Sequence, residues 1–361
     1  MKRKCVAVGI ILLFVATGII PATAQNIEKP SQPTSRSNWL YVGGSGPGNY
    51  SKIQDAINAS SSGDTIYVYN GTYHEAVQVD VELLSIIGEG RDVTCIDANY
   101  SSAAVVISQS CVSIRRFTII GKNTCVYVLG GLTHITVSEN NLSSFYHSVE
   151  FVYEGDNNWN VLENNIFNPT SCGIYLGSWY DSGFNTIRNN TFIDNYNGLV
   201  ISGANNRILN NTFLDCRDSG LKLYEGPSKV EGNIFIGNDI GLEVIKTDYK
   251  DSKNNIIRNH FEDNTIGLKL NKAYGTLVTQ NNFINNQKHA TFYEESRSHG
   301  NSWDNNFWSD SFNLFGCTFI FGKVQTGIKK LIQFNPYGTT YYWIPWINLD
   351  RDPAQEPYYI P

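Results

Sequence analysis

The chain has 361 residues, 41% of them hydrophobic and 13% aromatic, with a formal net charge of −6. That is enough apolar material for a large core, and too acidic a balance for a nucleic-acid backbone as partner. A single methionine and seven scattered cysteines, none paired as C-x-x-C, point away from a copper(I) centre, a zinc site and a disulfide scaffold.

In chain order, residues 1–24 read as a secretion signal. Lys2, Arg3 and Lys4 form the charged start, Val6 to Ile20 the apolar stretch, and Ala22-Thr23-Ala24 an A-x-A cleavage site. The apolar stretch is short for a membrane span, and no later stretch is apolar enough to cross one. Cleavage removes three positive and no negative charges, leaving −6 − 3 = −9. Residues 25–38 (QNIEKPSQPTSRSN) are rich in Pro, Ser and Gln and poor in apolar residues, the composition of a flexible leader. The mature chain is expected to be secreted, on the cell surface or in the periplasm, with its six remaining cysteines as buried thiols. One or two disulfides stay open as the alternative in an oxidising compartment.

Residues 50–79 read YSKIQDAINASSSGDTIYVYNGTYHEAVQV. Ser51 and Gln54 have the spacing of a capping box, and Ile53, Ala56 and Ile57 would share one apolar helix face. Gly63-Asp64 then turns the chain into a strand, TIYVY. N-x-S/T sequons stand at Asn49, Asn58, Asn70, Asn99, Asn141, Asn189 and Asn210.

From residue 140 onward one phrase returns: ENNL ending at Leu142, then NNIF, NNTF, NNTF, GNIF, RNHF, QNNF and NNF ending at Phe167, Phe192, Phe213, Phe235, Phe261, Phe283 and Phe307. The intervals run from 21 to 26 residues, which is the signature of a repeat architecture. Two positions before each apolar residue stands an asparagine: Asn140, Asn165, Asn190, Asn211, Asn233, Asn259, Asn281 and Asn305. A second block with a period of two follows in five of the units (GIYL, GLVI, GLKL, GLEV, GLKL), so each unit holds short strands and not helices. Stacked coils would put the rings in an interior column and the amides in a ladder. The last three sequons abut that ladder and are expected to be poorly accessible.

These residues resemble the right-handed parallel β-helix family of pectin-lyase-like topology, and within it the NosD-like surface and periplasmic proteins. The resemblance covers roughly residues 39–361 and implies an all-β solenoid over residues 39–310. A short helix would close its N-terminal end, and residues 311–361, aromatic and proline-rich, would form a C-terminal cap. Hydrolases of that class carry Asn-Thr-Asp, Asp-Asp, Gly-His-Gly and Arg-Ile-Lys motifs, and its lyases Trp-Ile-Asp-His and Arg-x-Pro-x-x-Arg; none occurs here. The expected role is therefore an exported protein that binds carbohydrate or packs in the envelope, with polysaccharide or envelope components as partners. A lyase or hydrolase acting on acidic polysaccharide is the alternative. The copper-enzyme accessory role implied by the NosD-like resemblance finds no ligand set.

Three sets of residues carry the remaining chemistry. Asp194, Asp215 and Asp263 fall two places after the rings and would form an acidic column able to share a calcium ion. Trp179, Tyr180 and Tyr224 fall near coil corners, where aromatic rings can stack on sugars. Tyr175, Val200, Lys222, Glu243 and Lys269 form an outward column of alternating charge, expected to be a salt-bridged surface.

Overall fold

The computed structural model describes residues 38–152, 155–177, 183–224, 226–245, 253–294, 300–310, 313–314, 317–329 and 339–360. The expected signal segment (residues 1–24), most of the expected leader, Trp179 and Tyr180 lie outside the described residues. Three parallel strand stacks run along one axis, and the coils are short because each is broken at three corners. A middle face includes Thr136–Ser138, Val161–Glu163 and Thr186–Arg188, each paired in register with the next. A third face is an eleven-stranded parallel sheet from Gly71–Tyr73 to Phe307–Trp308. A wide face includes Ala103–Ile107, Thr124–Val128, His147–Phe151 and Cys172–Leu176.

Each corner turns on a residue in the left-handed region. Asn164, Asn189, Asn210 and Gln280 do this between the middle and third faces, Asp194, Asp215 and Asp263 between the third and wide faces, and Trp159, Phe184 and Asn205 between the wide and middle faces. Asn and Asp tolerate that conformation because their short polar side chains bond locally. The next residue points inward, which explains the doublets: in Asn189-Asn190 and Asn210-Asn211 the first residue turns and the second is buried. The sequon residues Asn189 and Asn210 are consequently exposed, contrary to the expectation from the sequence.

The buried amides form a continuous ladder. Asn140, Asn165, Asn190, Asn211, Asn233, Asn259 and Asn281 each accept, on Oδ1, from the backbone N–H or side-chain amide of the preceding rung, or complete the first rung. The last rung is Asn306 and not Asn305: Oδ1 of Asn306 lies 3.0 Å from both the backbone N and Nδ2 of Asn281. Asn305 takes the left-handed turn at φ 56. The ring of that coil is accordingly Trp308, stacked 4.3 Å from Phe283, while Phe307 is only half-buried. The run DNNFW offers two amides and two rings in succession, and the doublet rule selects the second of each.

Two shorter ladders serve the other corners, through Asn160, Asn185 and Asn206 and through Asn238, Asn264 and Asn286. Inside, Phe167, Phe192, Phe213, Phe235, Phe261 and Phe283 are fully buried and stack at 4.6–4.8 Å with interplanar angles of 3–7°. The coil spacing of roughly 4.8 Å dictates that parallel arrangement. Each ring contributes about 1.5–3 kcal/mol by burial. The glycine that opens each wide-face block is required by packing, since a Cβ on Gly198 would lie 2.5 Å from the carbonyl oxygen of Gly220 and 2.7 Å from the ring of Phe213.

Both ends of the stack are closed. The helix Ile53–Ala59 buries Ile53, Ala56 and Ile57 as its spacing predicts. Its N-terminal N–H groups are not met by a capping box; the carboxylate of Glu75 accepts from the backbone of Ile53 at 2.8 Å and Gln54 at 3.1 Å. Gln54 is instead spent on a strand edge, accepting from the backbone N–H of Gln78. At the other end, Cys317–Lys329 and Thr339–Asp350 pair antiparallel, and the first of them continues the wide face beside Lys288–Glu294. Asp350, fully buried, accepts from the backbone and Nδ2 of Asn306 and from Nε1 of Trp308. Its Oδ2 terminates the ladder in the place that the Oδ1 of a further asparagine would take.

Candidate functional site

The wide face shows its alternate residues to solvent, and over its first coils these form a cleft of about 630 Å³. The register places Gln78 beside Val106, Val106 beside Tyr127, Tyr127 beside Glu150 and Glu150 beside Tyr175. A neighbouring column brings Thr124 next to His147. Nδ1 of His147 lies 2.9 Å from Oε2 of Glu150, out of line for a straight hydrogen bond, and Thr124 Oγ1 donates to the same oxygen at 3.3 Å. The imidazole lies flat against Tyr175, 5.1 Å between centroids at 14°. Tyr146, at the corner just before His147, is 51% exposed and forms the cleft's outer wall. The arrangement offers ring faces for stacking and a row of amide, hydroxyl and carboxylate groups for hydrogen bonding. Among the described lining residues there is no lysine or arginine.

Tyr146 also borders a second hollow of about 370 Å³ on the adjoining corner. Its floor is Thr170 and Ser171, and Tyr196 stands on the far side. Asp194 lies here, gripped by Arg217 through two hydrogen bonds of 2.9 Å, Nε to Oδ1 and Nη2 to Oδ2. The guanidinium holds the Asp194 carboxyl below its ordinary range, and the carboxylate in turn raises Arg217.

The acidic column predicted from sequence is present as a row of corner residues, at φ 51, 54 and 55 for Asp194, Asp215 and Asp263. Gly237 occupies the coil between Asp215 and Asp263, so the three carboxylates do not meet at one point. Among the described residues no group of three His, Cys, Asp or Glu side chains could hold a metal ion. Tyr224 is half-buried at the end of its strand, between Ser202 and Ile245 in register. The outward charged column is in register as expected, with Lys269 2.8 Å from Glu243. Corner aromatics elsewhere pack on the next coil: Trp159 and Phe184 stack at 4.5 Å and 11°. Cys125 and Cys216 are buried thiols that burial pushes up to about 12.

Sequence reasoning missed Tyr127, which precedes the repeats, and Tyr146, His147 and Glu150, which lie in the first of them, before the run of glycine-led blocks. The period of two in TCVYV and HSVEF was the available signal.

A family model described as "Right handed beta helix region" matches residues 150–308. With the three parallel faces, the ladder and the ring stack in place, the architecture has one description. The chain is a right-handed parallel β-helix. No curated protein is significantly similar to this β-helix in sequence. Among solved structures it is similar to ORF18 of Geobacillus virus E2, at 17% identity and a TM-score of 0.49, over 74% of this chain and 62% of that one. It thus spans under two thirds of that chain's length. DFA-IIIase from Arthrobacter chlorophenolicus A6, without its lid and in complex with GF2, matches at 14% identity and a TM-score of 0.48, over 75% and 88%. The Azotobacter vinelandii mannuronan C-5 epimerase AlgE6 A-module matches at 16% identity and a TM-score of 0.45, over 70% of this chain and 87% of that one.

Proposed function

We propose that the β-helix binds a glycan in the wide-face cleft, as an exported carbohydrate-binding protein. The observation that carries this reading is the pairing, in one open cleft, of the rings of Tyr127, Tyr146 and His147 with the polar groups of Gln78, Asn123 and Glu150. Sugars present just such a surface, with C–H faces that stack on aromatic rings and hydroxyls that need both donors and acceptors. The charged start and apolar stretch of residues 1–24 support export.

The test is calorimetric titration of residues 25–361 with a panel of neutral and uronic oligosaccharides. Tyr146→Ala and Glu150→Gln each should weaken the best ligand about tenfold, or ~1.4 kcal/mol, with an unchanged circular-dichroism spectrum. Binding that both variants leave intact would move the site elsewhere, and no binding by any oligosaccharide would end the reading.

A further inference from the structure

We infer that the bound glycan is uncharged and runs along the solenoid axis, from the wide-face cleft across Tyr146 into the corner hollow that ends at Tyr196. This rests on the glycan-binding reading and extends it to ligand class and direction.

Direction follows from the stacking. Backbone hydrogen bonds tie Cys172 to Tyr146 and Tyr196 to Thr170, so Tyr146, Ser171 and Tyr196 rise in one corner column on successive coils. The two tyrosines are therefore two coil spacings apart, roughly 10 Å, with a serine between them. Both are about half exposed, at 51% and 52%. A ring, a gap with a small polar floor, and a second ring make a track parallel to the axis. The cleft's own columns run the same way, because outward residues on parallel coils always do. Tyr146 belongs to both hollows and makes them one path. Phe145, its ring edge-on to Tyr146 at 4.8 Å, fixes that tyrosine from the outer side.

Charge selects the ligand class. The cleft contains the Glu150 carboxylate, and no lysine or arginine is among its lining residues. Lys122, the residue before Asn123, is exposed and does not line it. The hollow's one cation, Arg217, spends Nε and Nη2 on Asp194, so the pair presents little net charge. A polyuronate would meet the Glu150 carboxylate with no lysine or arginine in the cleft to offset it, in a mature chain of net charge −9 (−6 − 3). A neutral chain meets rings, hydroxyls and amides.

The experiment measures affinity for a neutral oligosaccharide series, from disaccharide to octasaccharide, beside uronic oligomers of the same lengths. Affinity for the neutral series should climb with length until both hollows are filled. Tyr196→Ala should abolish that climb and leave the shortest binder unchanged. Ser171→Tyr, which fills the gap, should do the same. Uronic oligomers should bind at least tenfold more weakly at low salt. Asp194→Asn frees the Arg217 guanidinium and should narrow the gap between uronic and neutral affinities several-fold. Affinity independent of length, or Tyr196→Ala acting equally on short and long oligomers, overturns the track. Uronates binding more tightly than neutral oligomers overturns the ligand class. Either result leaves the wide-face site standing, whereas silence across the whole panel removes both.

Discussion

Replacing Asn211 with alanine isolates what one rung of the ladder contributes. Its Oδ1 accepts from the backbone N–H and from Nδ2 of Asn190, both at 3.0 Å. Its Nδ2 donates to the carbonyl of Ile187 at 2.9 Å and to Oδ1 of Asn233 at 3.0 Å. All of these atoms are buried, so water cannot replace the lost partner. Asn190 Nδ2 keeps its bond to Leu162, and Asn233 Oδ1 keeps the N–H of Asn211. The backbone N–H of Asn190 keeps nothing, and Ile187 loses its amide donor. Each buried group left unsatisfied costs about 1–3 kcal/mol, so Asn211→Ala should lose about 3–5 kcal/mol in total. Urea unfolding by circular dichroism gives the global number. Because a stack of repeats can unfold in parts, native-state hydrogen exchange should be read beside it, with the Asn190 amide losing protection first. A loss under about 1 kcal/mol with the Asn190 amide still protected would show that the ladder is ornament to the ring stack and not a partner in it.

Three further outcomes are expected. Asn306→Ala should destabilise the last coil by about 2–3 kcal/mol, while Asn305→Gly, which keeps the left-handed turn, should cost under about 1 kcal/mol; equal effects in thermal unfolding would return the rung to Asn305. Phe213→Ala should cost about 3–5 kcal/mol, against under about 2 for Phe213→Leu, and equal denaturant midpoints for the two would mean the stack tolerates a void. Burial holds His289 below the ordinary imidazole range, against the opposing hydrogen bond to the Ser309 carbonyl. The unfolded chain therefore takes up the proton first, so stability should fall as pH drops through about 6.5 and level off below the folded value. His289→Gln should flatten that part of the profile of urea midpoint against pH, and an unchanged slope would clear His289 of the effect.

The solenoid was legible because its interior repeats: a ring every coil, an amide two places earlier and alternation in the wide-face strand leave the same mark each time. The ladder's last rung was misread where two asparagines and two aromatics adjoin, since spacing from the ring fails when the ring itself is ambiguous. The left-handed turn that precedes every rung would have resolved it. Glu75 as the helix cap was invisible, as it acts across 22 residues and no local pattern links it to Ile53. The cleft was hidden for the opposite reason to the core. Outward positions on a solenoid need not match their neighbours, so Tyr127, Glu150 and Tyr175 form a column without a shared residue type. Corner aspartates drew attention because they do repeat, and they repeat because the turn requires them.

Asp350 presents Oδ2 to Asn306 and Trp308, and Oδ1 to the backbone of Asn305, as a counterfeit of the next coil. Glu75 does comparable duty for the helix at the opposite end. Neither contact refers to any coil between them. Whole turns could thus be duplicated or deleted from the middle of this molecule with both terminations intact, and the length of its outer faces could change in steps of one coil. A lineage built this way can grow or shrink by recombination alone, without inventing a new fold or a new end.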